Sequence, residues 1–101
     1  MSVTICIESS VDGRTETVYE EDYSYNEGPR FDALGLHDLI YHPAEAGLTR
    51  GRDLIAPVES ALESIIKQPG PDGLWEPWFV TQLYELLCAA KAHPEGKFRS
   101  Y

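Results

Sequence analysis

The chain predicts an α+β fold: an N-terminal β-hairpin, or a small antiparallel sheet that contains it, packed on about three α-helices. Three observations carry that prediction. Val3, Ile5 and Ile7 alternate with polar or small neighbours and run into Asp12-Gly13, the dipeptide that favours a two-residue hairpin. Two later stretches repeat apolar residues at helical spacing, each introduced by a proline. Clusters of Pro and Gly divide these stretches from one another.

The first strand places Val3, Ile5 and Ile7 on one face and Thr4, Cys6 and Glu8 on the other. After the turn, the return strand over 14–21 sets Thr15, Thr17 and Tyr19 against Glu16, Val18 and Glu20, so one face is charged and wet. The run from Glu20 to Pro29 holds four carboxylates and two tyrosines and ends in Gly28-Pro29, which predicts a strand end followed by an exposed loop. Ala33, Leu36, Leu39 and Ile40 predict a short helix over 31–42, stopped by Pro43.

Residues 44–52 contain Gly47 and Gly51 and read as a connector. Pro57, with Glu59 behind it, predicts a helix over 57–68 with Pro at its first position, ended by Pro69-Gly70-Pro71. Glu76-Pro77 opens the longest helix, over 76–92, with Phe79, Leu83, Leu86, Leu87 and Ala90 in register, closed by His93-Pro94. The last two helices present facing apolar stripes, so they are expected to pair antiparallel and to cover the apolar face of the hairpin. With 101 residues the chain has room for one domain, 1–101.

Its charge is −9, and the imbalance is one-sided. Residues 1–48 carry ten carboxylates against Arg14 and Arg30, a net of −8, while residues 49–101 carry seven against six cations, a net of −1. Such a field attracts basic surfaces and repels nucleic acid and anionic lipid. A hydrophobic content of 43% places the chain among folded globules despite its charge. No apolar run approaches the ~20 residues that span a bilayer, and the opening residues lack the basic start of a secretory signal, so a cytoplasmic protein is expected. Cys6 and Cys88 are too far apart for a zinc or redox pair, which predicts two buried free thiols.

Four groups of residues are candidates for function. His37, Asp38, Tyr41 and His42 form the densest titratable cluster, but on a continuous helix the two histidines would point some 140° apart. That spacing predicts no shared metal ion and no cofactor. Gly47 to Arg52 has the glycines and guanidinium groups of a phosphate-binding turn but lacks its Lys-Ser/Thr; a connector whose arginines answer the chain's own carboxylates is the plainer reading. Trp75 and Trp78 flank the last helix and serve either packing or an aromatic contact patch, Trp75 being the more exposed of the two. The fourth group, Glu16, Glu20, Glu21, Asp22, Tyr23, Tyr25 and Glu27, combines carboxylates with tyrosines. It is either a charged strand protected from self-pairing or a surface for a basic partner.

No nucleophile elbow surrounds any serine, and no histidine stands near either cysteine in sequence, so a serine or thiol hydrolase is not expected. The features together predict a non-enzymatic, stoichiometric inhibitor whose acidic side blocks a basic, nucleic-acid-binding surface of a larger protein or complex. That is the general character of phage anti-defence proteins, anti-CRISPR inhibitors among them. It would bind no nucleic acid directly and no membrane, as a monomer or homodimer. An immunity or antitoxin-like protein neutralising a cognate enzyme, or a small enzyme using His37, Asp38 and His42, are the alternatives.

Overall fold

Asp12 and Gly13 both take positive φ, 50° and 78°, the pairing that a type I′ turn demands and that matches the twist of the strands it joins. It closes a hairpin of β1 (Ser2–Val11) and β2 (Arg14–Ser24). A computed structural model describes residues 2–24, 28–67 and 77–101 of the chain. Its further elements are α1 (Gly28–Ala33), α2 (His37–Tyr41), α3 (Gly51–Lys67), α4 (Pro77–Ala92) and β3 (Lys97–Ser100). The α+β class and the opening hairpin are as the sequence predicts.

The hairpin belongs to a three-stranded antiparallel sheet in the order β2-β1-β3. The third strand escapes the sequence reading because it is short: only Phe98, flanked by Lys97 and Arg99, signals alternation. Along β1, Val3, Ile5 and Ile7 are buried under the helices. Opposite them in register lie Tyr23, Glu21 and Tyr19 on β2 and, from β3, Ser100 beside Ile5 and Phe98 beside Ile7. The register slips by one between Ile7 and Glu8, so Val18 is an extra residue in β2. Val18 and Tyr19 consequently both pack against the core, which breaks the simple alternation expected for the return strand.

Two further expectations change in the first half. β2 continues past the expected end at Glu21 to Ser24, and Gly28-Pro29 opens α1 instead of a turn, while 25–27 of the expected loop lie outside the described residues. The helix expected over 31–42 is two short helices, because Gly35 sits at φ 72° and cannot continue a right-handed turn. Leu36, Leu39 and Ile40 are nonetheless buried as predicted. Phe31, fully buried, joins the layers: its ring lies 5.2 Å from Tyr23 of β2, 6.3 Å from Tyr41 of α2 and 5.4 Å from Phe79 of α4.

The helix placed at 57–68 begins six residues earlier, at Gly51, and carries Pro57 in its interior. Its start is fixed by contacts that sequence spacing does not reveal. Asp53 accepts from the backbone N–H groups of Thr49 and Arg50, both at 3.1 Å, in the manner of a capping box. Gly51 and Arg52 donate theirs to the carbonyls of Gly96 and Pro94, each at 2.9 Å. A Cβ at Gly51 would overlap the His93 carbonyl oxygen, so only glycine lets α3 dock here. The two long helices run antiparallel, the start of α3 beside the end of α4, and bury Leu54, Val58 and Ala61 against Leu83, Leu86 and Ala90.

Candidate functional site

The free edge of β2 and its carboxylates

The helices cover one face of the sheet, and the other carries Thr4, Cys6 and Glu8 of β1, Glu20 and Asp22 of β2, and Lys97 and Arg99 of β3. Backbone pairing fixes what β2 offers at its outer edge. Thr4 exchanges both of its backbone bonds with Tyr101, at 2.7 and 2.8 Å, so its polar groups point toward β3. Alternation sends those of Cys6 and Glu8 the same way and turns Val3, Ile5 and Ile7 toward β2. Tyr23, Glu21 and Tyr19 answer them. The residues between, Glu20 and Asp22, therefore aim their N–H and C=O groups outward, at an edge that no strand among the described residues pairs with, while their carboxylates stand on the open face.

The proposed cluster is thus divided by the pleat. Glu20 and Asp22 are exposed on the same face, with the Thr4 hydroxyl donating to Asp22. Glu21 lies on the helix side, half-buried, and accepts from Gln82 of α4 at 3.2 Å. Glu16 is exposed near the hairpin tip, beyond the bulge. Tyr23 is fully buried and has no surface to give a partner, a correction to its place in the exposed cluster. Tyr25 and Glu27 lie outside the described residues.

Four carboxylates elsewhere answer lysines or arginines of the same chain. Glu8 meets Arg99, Glu59 meets Lys91, Glu63 meets Lys67, and Glu95 meets both Arg50 and Arg52. Among the described residues no ion pair involves Glu16, Glu20, Glu21 or Asp22. Tyr19, beside them on the helix side, has its hydroxyl pushed up to about 12 by burial, against the influence of the neighbouring Tyr23 hydroxyl and with help from Glu21 and Glu85.

The histidine cleft and the remaining candidates

His37 and His42 do not diverge as a continuous helix would make them. Helix α2 ends at Tyr41, and His42, with φ −139° and ψ 51°, has left the helical path. The two imidazole centroids stand 5.8 Å apart, with the Tyr41 ring 4.9 Å from His37. The carboxylate that answers His37 is Asp32, at 2.8 Å from Nδ1, and not the adjacent Asp38. This pair crosses the Gly35 break, so helical spacing could not have found it. Val3, Pro29, Ser100 and Tyr101 complete a cleft of about 530 Å³ around these groups. Among the described residues no three of the His, Cys, Asp and Glu side chains converge as metal ligands.

The backbone of the glycine turn at 47–52 has no free N–H for a phosphate. Its N–H groups from Thr49 to Arg52 are spent on Asp53, Gly96 and Pro94, and its arginines on Glu95, as the plainer reading expected. Trp78 is half exposed, with the Arg30 guanidinium 5.2 Å over its ring; Trp75 lies outside the described residues. Of the two thiols only Cys6 is buried, whereas Cys88 is exposed on α4, contrary to expectation. Cys6 is raised above the usual thiol range by burial and then by Glu8. No helix among the described residues is long and apolar enough to cross a membrane.

No protein-family model, curated protein or solved structure matches this chain.

Proposed function

We propose that this chain is a non-enzymatic binder of a basic protein surface, and that it engages an extended, basic segment of its partner along the free edge of β2. The observation that supports this most is the placement of charge: Glu20 and Asp22 stand side by side on the open face of the outer strand β2 with no ion pair among the described residues, whereas Glu8, Glu59, Glu63 and Glu95 are paired within the chain. A partner strand laid antiparallel on that edge would exchange backbone bonds with Glu20 and Asp22. Its lysines or arginines at alternate positions would then meet both carboxylates on the open face.

Self-pairing through the same edge would set carboxylate against carboxylate, which disfavours a homodimer built there. Where the partner's basic segment normally holds nucleic acid, occupation by this chain displaces it, and inhibition follows by stoichiometry alone. An inhibitor of the phage anti-defence kind would act in this way. An immunity protein would do the same to a toxin's basic surface, and the identity of the captured partner separates the two.

The test compares capture by the tagged wild-type chain and by Glu20→Lys/Asp22→Lys at low and high salt. The reading expects one complex with a basic surface, held by the wild type, released as salt rises and lost in the double variant. Equal capture by the variant would refute it.

A further inference from the structure

We propose that His37 and His42 form a two-imidazole site for a borderline divalent transition-metal ion of the Zn²⁺ or Cu²⁺ type, with Asp32 as the residue that orients the first ligand. This is independent of the acidic edge. Three features of the cleft carry it. The first is spacing: with a metal–nitrogen bond of about 2.0 Å and a ring centre roughly 1.1 Å behind the nitrogen, two imidazoles on one ion have centroids roughly 5 to 6.5 Å apart. His37 and His42 stand at 5.8 Å.

The second feature is the tautomer. His37 Nδ1 lies 2.8 Å from an Asp32 carboxylate oxygen, so Nδ1 carries the proton and donates it to that bond. With Nδ1 donating to Asp32, the neutral ring presents its lone pair at Nε2, the orientation that a carboxylate partner gives a metal-binding histidine. The Tyr41 ring, 4.9 Å away, packs against the same imidazole and restricts its rotation.

The third is room. The cleft of about 530 Å³ holds the ion with the waters that must complete its coordination, since the described residues supply two ligands and not three. Imidazole nitrogen suits Zn²⁺, Cu²⁺ and Ni²⁺, while Mg²⁺ and Ca²⁺ prefer oxygen. A site with two protein ligands keeps open positions, so a donor from a partner could close it.

Isothermal titration of the full chain with ZnCl₂, in a Cys88→Ser background that removes the exposed thiol, tests the proposal. One equivalent of Zn²⁺ is expected to bind. His37→Ala and His42→Ala should each weaken it at least tenfold, and Asp32→Asn by about tenfold, the usual cost of losing a carboxylate behind a histidine ligand. His93→Ala, the third histidine, should leave binding unchanged. Because variants report on folding as well, Zn²⁺-induced shifts of the imidazole resonances of His37 and His42 in the unmutated chain give a second readout. Binding by the His37→Ala/His42→Ala variant equal to that of its parent, loss on His93→Ala, or no shift of the two resonances would overturn the assignment.

Discussion

Replacing Gly51 with alanine pits helix propensity against tertiary docking, and the structure fixes the sign. In an isolated helix the change is worth about 1 kcal/mol in favour of alanine. Here the new methyl overlaps the His93 carbonyl oxygen and comes within 3.2 Å of the Ala90 oxygen, both of them backbone and unable to swing aside. Relief requires the first turn of α3 to withdraw from the 93–96 segment. That strains the bonds from Gly51 to Gly96 and from Arg52 to Pro94, each 2.9 Å.

Two such bonds contribute about 1 kcal/mol apiece, and overpacking of a close contact costs about 1–3 kcal/mol. Against the propensity gain, the net loss is about 2–4 kcal/mol. For a domain near 100 residues that lowers Tm by roughly 10–25 °C. Paired urea and thermal denaturation of wild type and Gly51→Ala measure it. Unchanged or raised stability would mean that α3 does not start against the 93–96 segment, and would refute the argument for its early beginning.

Other predictions follow from burial and charge. Tyr23→Ala should cost about 3–5 kcal/mol as a core truncation, whereas Glu20→Gln with Asp22→Gln should change stability by less than about 0.5 kcal/mol; urea midpoints separate the two classes. Tyr19 keeps its proton to a higher pH when folded than when unfolded, so the unfolded chain releases the proton first. Its contribution is complete below the ordinary tyrosine range near 10 and is lost as pH rises through about 12, and Tyr19→Phe should flatten the alkaline decline in urea midpoint. In native protein an aromatic disulfide reagent should titrate Cys88 rapidly and Cys6 only upon unfolding; equal rates would contradict the burial of Cys6 beneath the open face.

Local chemistry made much of this fold readable. Asp12-Gly13 announces its hairpin because few other residues tolerate two successive positive φ values. Phe79, Leu83, Leu86, Leu87 and Ala90 declare α4 by their spacing, and all five are buried. What stayed hidden depends on distant partners. The start of α3 is set by carbonyls some 45 residues downstream, and Pro57, a good N-terminal signal in isolation, was overruled by them. The bulge at Val18 and the depth of Tyr23 depend on register across the hairpin, which no residue along β2 encodes by itself.

The candidate sites divide along the same line. Glu20 and Asp22 are legible as acidic and, by alternation, as sharing a face, but that their backbone groups turn to the outer edge follows only from the pairing of β1 with β3, a strand that four residues barely announce. Continuous helical geometry sets the two histidines apart, whereas the chain leaves the helix at His42, and the Asp32 partner is hidden from spacing because the Gly35 break brings it back onto His37.

The most direct test of the acidic edge uses a defined probe, an eight-residue peptide alternating lysine and valine, added to the isotopically labelled chain at low salt. Amide hydrogen exchange is then followed at Glu20 and Asp22. The account predicts fast exchange of both amides in the free protein, protection on adding the peptide and loss of that protection as salt rises. With Glu20→Lys/Asp22→Lys, protection should return only with a glutamate–valine peptide. Slow exchange in the free protein, or a peptide response located away from β2, would contradict it.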